Sequence, residues 1–212
     1  MRTRIFGRTW LSTVPMLIVL ALILSACSGG KSATSSSGTG GMDHGNAGAS
    51  PSSSAPFDQQ FIDMMVPHHM GAVAMAQIAL TRAEHPELKT LANGIIASQN
   101  SEIGRMKQWR AAWYGSDQTP PMDQMRMLPG MDMNMMNGGM MSSDIKNMQT
   151  ASPFDRAFLQ AMIPHHQSAI AGAKLEQEQG MHPELKQLAG TIIADQQKEI
   201  DQMQQWLKAW YP

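Results

Sequence analysis

Residues 57–76 read FDQQFIDMMVPHHMGAVAMA, and residues 154–173 read FDRAFLQAMIPHHQSAIAGA, the same pattern at an offset of 97 positions. In the first copy Phe61, Met65, His68, Ala72 and Ala76 recur at three- and four-residue steps; in the second, Phe158, Met162, His165, Ala169 and Ala173 do the same. That spacing draws one stripe along a helix of 3.6 residues per turn. Each helix is expected to begin at Pro56 or Pro153. Asp58 or Asp155 then lies in the first turn, where a negative charge suits the helix dipole. The proline before each His-His pair removes one backbone bond and is expected to kink the helix, opening space for a ligand.

The likeness continues without a gap from Phe57–Tyr114 to Phe154–Tyr211, with about half the positions identical. A repeated unit of this kind is read first as one supersecondary element. His85-Pro86-Glu87 and His182-Pro183-Glu184 mark a break and a restart inside each unit, and Gly180 suits a helix C-terminus just before the second break. His85 and His182 are read as local structure at these turns. The second helix of each unit carries a stripe of its own. It runs Leu88, Ala92, Ile95, Gln99, Glu102, Met106, Trp109, Trp113 in one, and Leu185, Ala189, Ile192, Gln196, Glu199, Met203, Trp206, Trp210 in the other. No stretch alternates like a strand. One helical hairpin cannot cover its own apolar face, but two can. The expected fold is all-α: a four-helix bundle of ferritin-like type built from hairpin repeats at 57–114 and 154–212, with the tryptophans closing its ends.

Upstream, Arg2, Arg4 and Arg8 precede a short apolar run from Val14 to Leu24, too short for a stable membrane span. Leu24-Ser25-Ala26-Cys27 resembles the lipobox of bacterial lipoproteins, and Cys27 is the chain's one cysteine. The expectation is a signal peptide at 1–26, export, and a membrane anchor on lipidated Cys27; a plain cleaved signal or an uncleaved anchor is the alternative. Residues 27–56, rich in Ser, Gly, Ala and Thr, read as a flexible tether. Loss of the signal takes three of sixteen basic residues and no acidic ones. The mature chain is therefore mildly acidic, and nucleic acid is not an expected partner. A lone cysteine also excludes an internal disulfide, a Cys₄ zinc site and an iron–sulfur cluster.

The linker at 115–153 is unusual in one respect. Met122 to Met148 holds ten methionines in twenty-seven residues, densest at Met131, Met133, Met135 and Met136 and again at Met140 and Met141, with only Leu128 and Ile145 as aliphatic companions. Thioethers are soft, uncharged ligands suited to Cu(I), and they survive where thiols oxidise. A compositionally biased linker or an adaptable surface is the plainer reading.

Gln99, Glu102, Gln196 and Glu199 fall on otherwise apolar stripes, and buried polar groups are costly unless paired or coordinating. His68 and His69, with His165 and His166, lie on the facing helices. Adjacent helical residues differ by about 100°, so at most one histidine of each pair is expected to point squarely inward. With Met65, Met162, Met106 and Met203 they form a candidate metal set suited to Cu(II) or zinc as well as Cu(I). Simple hydrogen bonding of each histidine to the facing Gln or Glu is the competing reading.

The pattern Met65…Pro67-His68-His69…Ala72 with Gln99-x-x-Glu102-Ile103-x-x-Met106, and its copy Met162…Pro164-His165-His166…Ala169 with Gln196-x-x-Glu199-Ile200-x-x-Met203, resembles the domain-of-unknown-function family numbered 305. The resemblance implies a ferritin-like helical bundle, export, and in some members copper binding and tolerance, with no established catalysis. It does not cover the methionine-dense linker. Di-iron oxidases of ferritin-like fold use Glu-x-x-His ligands, and this chain has none. A binding protein is expected rather than an enzyme, with a metal-free interaction module or a copper redox enzyme as the alternatives.

Overall fold

The computed structural model describes residues 55–121, 124–125, 128–129 and 145–212. The expected signal, Cys27, the tether up to residue 54, and Met131, Met133, Met135, Met136, Met140 and Met141 of the linker all lie outside the described residues. Four long helices run in order: α1 Phe57–Arg82, α2 Pro86–Tyr114, α3 Phe154–Gln179 and α4 Pro183–Trp210. A short helical segment at 145–150 precedes α3, and no strand occurs among the described residues. The fold is all-α, as the periodicity required.

The helix boundaries follow the local chemistry. Pro86 and Pro183 sit at the start of α2 and α4, where the missing N–H has no partner to lose. α2 stops at Gly115, whose φ of 80° suits a residue without a Cβ. Gly180 does end α3, but in an extended conformation with φ −63° rather than a left-handed one, so its role is not backbone freedom. Pro67 and Pro164 lie inside α1 and α3, and both helices run unbroken through them. Tertiary packing on both sides of each helix outweighs the one lost backbone bond, so the helix continues past its proline.

α1 packs on α2 and α3 packs on α4; the repeats meet along α1 and α3, while α2 and α4 barely touch. The core falls into two apolar clusters. One joins Phe61, Ile62, Met64, Met65, Val66 and Met106 of the first repeat to Ala169, Ala173, Leu185, Leu188, Ala189 and Ile192 of the second. The other joins Ala72, Met75, Ala76, Ala79, Leu88, Ala92 and Ile95 to Phe154, Phe158, Leu159, Met162, Ile200 and Met203. The early part of α1 thus meets the late part of α3, and the reverse, as in an antiparallel pair. Burying a large aliphatic or aromatic side chain contributes roughly 1.5–3 kcal/mol, and each cluster draws on both repeats. Neither hairpin closes its core alone.

The described parts of the linker are tied to this bundle. Leu128 is buried in the first cluster and donates its N–H to Met64 Sδ at 3.1 Å. Met148 is buried in the second, where Arg82 binds its carbonyl and that of Ala151.

Candidate functional site

Between the two apolar clusters the bundle has a polar cross-section. It contains His68 and His69 of α1, Gln99 and Glu102 of α2, His165 and His166 of α3, and Gln196 and Glu199 of α4. All but Glu199, which is half-buried, are buried. The residues flagged by their place on the apolar stripes are therefore gathered at one level.

Both histidines of each pair are buried, which corrects the expectation that one of them would turn away. The 100° between neighbours on a helix is satisfied because α1 and α3 each have two packing partners. His69 faces α2, with Nε2 2.7 Å from Glu102 Oε2, and His166 faces α4, with Nε2 2.7 Å from Glu199 Oε2. His68 and His165 face each other across the repeat junction, ring centroids 3.8 Å apart and planes inclined by 37°.

Their electrostatics differ accordingly. Burial, reinforced by the neighbouring imidazoles, pushes His68 and His165 well below the ordinary histidine value, so both are neutral at neutral pH. Both ring nitrogens of each lack a hydrogen-bond partner among the described residues, as do Nδ1 of His69, Nδ1 of His166, and the side-chain oxygens of Gln99 and Gln196. Each such buried atom costs about 1–3 kcal/mol. A layer with eight of them, set between two apolar clusters, is a place that a cation or water would stabilise. Neutral imidazole with a free lone pair is the form that coordinates metal. The sulfurs at hand are also buried: Met65 and Met106 lie in one adjoining cluster, Met162 and Met203 in the other. Among the described residues no three His, Cys, Asp or Glu side chains already converge as an ion cage. An ion here would need mixed nitrogen and thioether ligands, or a shift of rotamers.

His85 and His182 are structural, though their role is wider than a local turn. Asp155 of α3 accepts from the N–H groups of Glu84 (3.0 Å) and His85 (2.9 Å), and from His85 Nδ1 (2.7 Å). Asp58 of α1 accepts from the N–H groups of Met181 (2.8 Å) and His182 (3.0 Å), and from His182 Nδ1. Each repeat's first aspartate thus holds the other repeat's turn. His85 stacks on Trp210 at 3.7 Å and His182 on Trp113 at 3.6 Å, continuing to Trp206 and Trp109. The tryptophans do close the bundle ends, with a histidine as the outer plate of each stack.

Three features went unread in the sequence. The cross-repeat role of Asp58 and Asp155 could have been suspected, because both aspartates and both turn histidines survive in the two copies. The buried ion pair of Arg110 with Asp63 (2.5 Å) has Leu207 and Gln160 as its sequence equivalents in the other repeat, so duplication hides it. Glu176 is fully buried, with both oxygens unpartnered among the described residues, where the first repeat has Ala79. Burial and the nearby Asp58 carboxylate push its pKa up to about 8.

Comparison with known proteins shows likeness in sequence and overall fold. The sequence model described as "Domain of unknown function (DUF305)" matches residues 58–207. The chain is similar to CopM in its Cu(I)-bound form, 41% identical with a TM-score of 0.61 over 73% of this chain and 98% of that one. Against CopM in the Cu(II)-bound form it is 44% identical, with a TM-score of 0.63 over 73% and 97%. CopM structures holding silver are similar at 40% identity. A DUF305 protein of Streptomyces coelicolor is 28% identical, with a TM-score of 0.61 over 73% of this chain and 93% of that chain. An uncharacterized protein of Acanthamoeba polyphaga mimivirus is 41% identical over 49 residues, which span 23% of this chain and 32% of the viral protein.

Proposed function

Since the chain belongs to the DUF305 family, we propose that it is an exported copper-binding protein that sequesters the ion as cargo. The observation that carries this reading is the polar layer: six imidazole nitrogens without partners among the described residues, buried between apolar clusters that hold thioethers. Copper and silver in the similar CopM structures support a soft ion. Thioethers favour Cu(I) and imidazoles accept Cu(II), so the layer can serve both oxidation states. The linker methionines Met131, Met133, Met135, Met136, Met140 and Met141 supply a second, sulfur-only Cu(I) store by the same ligand chemistry. Zinc shares the imidazole preference but not the thioether one, and serves as the comparison ion.

Lipidation at Cys27 after export would hold this capacity on the outer side of a membrane, and copper tolerance is the role that follows. Binding without turnover fits the burial of all four imidazoles, which offers a second substrate no exposed reactive atom. Metal analysis of the mature chain after equilibration with Cu(I), Cu(II) and Zn(II) tests the reading. Copper retained through gel filtration supports it; a chain that emerges copper-free under both oxidising and reducing conditions refutes it.

A further inference from the structure

His69 and His166 differ from His68 and His165 in one respect that decides their chemistry: one ring nitrogen of each is already engaged. Nε2 lies 2.7 Å from a carboxylate oxygen, Glu102 Oε2 in one repeat and Glu199 Oε2 in the other. A carboxylate only accepts, so the hydrogen must sit on Nε2. In neutral imidazole that leaves Nδ1 as a bare lone pair. Nδ1 of both residues is buried and meets no donor among the described residues. The arrangement occurs twice with the same distance, 97 positions apart, and so is not one side chain's accident.

We propose that Glu102 and Glu199 are positioning residues rather than metal ligands: each holds the Nε2–H of its histidine and thereby presents the Nδ1 lone pair of His69 or His166 to the ion. This rests on the histidine layer of the proposed copper site and replaces the expectation that the two glutamates coordinate directly. A carboxylate behind a coordinating imidazole fixes its tautomer and ring orientation and raises its basicity; removing such a partner weakens metal binding about 10–100-fold. The side-chain oxygens of Gln99 and Gln196, also buried and unpartnered among the described residues, are candidates to complete the shell. His68 and His165 have no such partner and can offer either nitrogen. Each repeat thus contributes one imidazole of fixed tautomer and one of free tautomer.

The test is nitrogen NMR of the mature full-length chain labelled with ¹⁵N-histidine, with Ag(I) as a diamagnetic, redox-inert probe. Before Ag(I), His69 and His166 should show protonated Nε2 and unprotonated Nδ1. Ag(I) should then shift Nδ1 of both and leave Nε2 bearing its hydrogen. Glu102→Gln, whose amide oxygen can still accept from Nε2–H, should keep the tautomer and most of the affinity, whereas Glu102→Ala should lose about 10–100-fold. Movement of Nε2 instead, or loss of binding in Glu102→Gln as complete as in His69→Ala, would overturn the assignment while leaving the copper reading standing. Ag(I) bound with no histidine nitrogen moving would overturn both the assignment and the histidine layer. The wild-type spectra decide the matter even if Glu102→Ala does not fold.

Discussion

Gly180 and Glu176 share one small volume at the end of α3: a Cβ on Gly180 would stand 2.0 Å from Glu176 Oε1 and 2.5 Å from its carbonyl oxygen. The first repeat solves the same corner with Ala83 and Ala79, and Ala83 has nearly the same φ, −61° against −63°. The buried glutamate therefore came with a compensating loss of a methyl group. Gly180→Ala should destabilise the bundle by about 1–3 kcal/mol through overpacking. Adding Glu176→Ala, which recreates the Ala79/Ala83 corner, should recover the part of that loss due to the Glu176 side chain. Chemical denaturation of the single and double variants checks both; a double variant no better than Gly180→Ala would show that the side chain is not what fills the corner.

Glu176 also sets a pH dependence. Burial, then the charge of Asp58, raise its pKa to about 8, against a smaller opposing pull from Lys186. Across the window from the ordinary carboxylate value, 4.5, up to about 8, the folded chain holds a proton that the unfolded chain has released. Unfolding in that window liberates a proton, so stability falls as pH rises through it and levels off above it. Glu176→Gln should remove this slope and gain up to about 4 kcal/mol over wild type at pH 8. Melting curves of the metal-free protein from pH 5 to 9 read the effect, and parallel pH profiles for variant and wild type would contradict it.

Asp58 and Asp155 lock the repeats to one another, each satisfying two backbone N–H groups and an imidazole of the opposite turn. Removing either carboxylate orphans donors at a part-buried turn, so Asp58→Ala or Asp155→Ala should cost about 2–4 kcal/mol. Copper affinity should stay near wild type wherever the variant is folded, and likewise for His85→Ala and His182→Ala. Paired thermal melts and copper titrations separate the two effects; weakened binding in folded His85→Ala would place that histidine in the metal site after all.

Much of this architecture was legible in the sequence, because repeat and stripe are local properties. Three- and four-residue spacing placed Phe61, Met65, His68 and Ala72 on one face, and Pro86 and Pro183 marked the restarts. The polar layer could be anticipated in composition, since Gln99, Glu102 and their copies interrupt apolar stripes. Its geometry could not. That both His68 and His69 are buried depends on α1 having α2 on one side and α3 on the other, and spacing along one helix does not report its neighbours. The Asp58–His182 and Asp155–His85 locks span 124 and 70 residues, so no local signal carries them. Glu176 was visible only as a departure from Ala79, meaningful once Gly180 was set against Ala83.

The linker prediction is separable from the bundle. If the methionines between Met122 and Met148 hold Cu(I), deleting 122–148 should lower the Cu(I) stoichiometry and leave the histidine-layer portion intact. Leu128 and Met148 are buried in the core, so the deletion should also lower thermal stability modestly; restoring Leu128 and Met148 on a Gly/Ser loop controls for that. Equal Cu(I) stoichiometry with and without the methionines would remove the linker from the account.

The central claim is that the buried histidine layer holds copper, and one titration tests it most directly. In a chain whose linker methionines other than the buried Met148 are replaced by Ser, copper binding is measured before and after His68→Ala, His69→Ala, His165→Ala and His166→Ala are introduced together, with helicity checked by circular dichroism. The expected result is that the parent binds both Cu(I) and Cu(II), and the folded quadruple variant binds neither tightly. A folded quadruple variant that keeps the parent's full copper affinity and stoichiometry would contradict the account, and the four histidines would then be packing residues only.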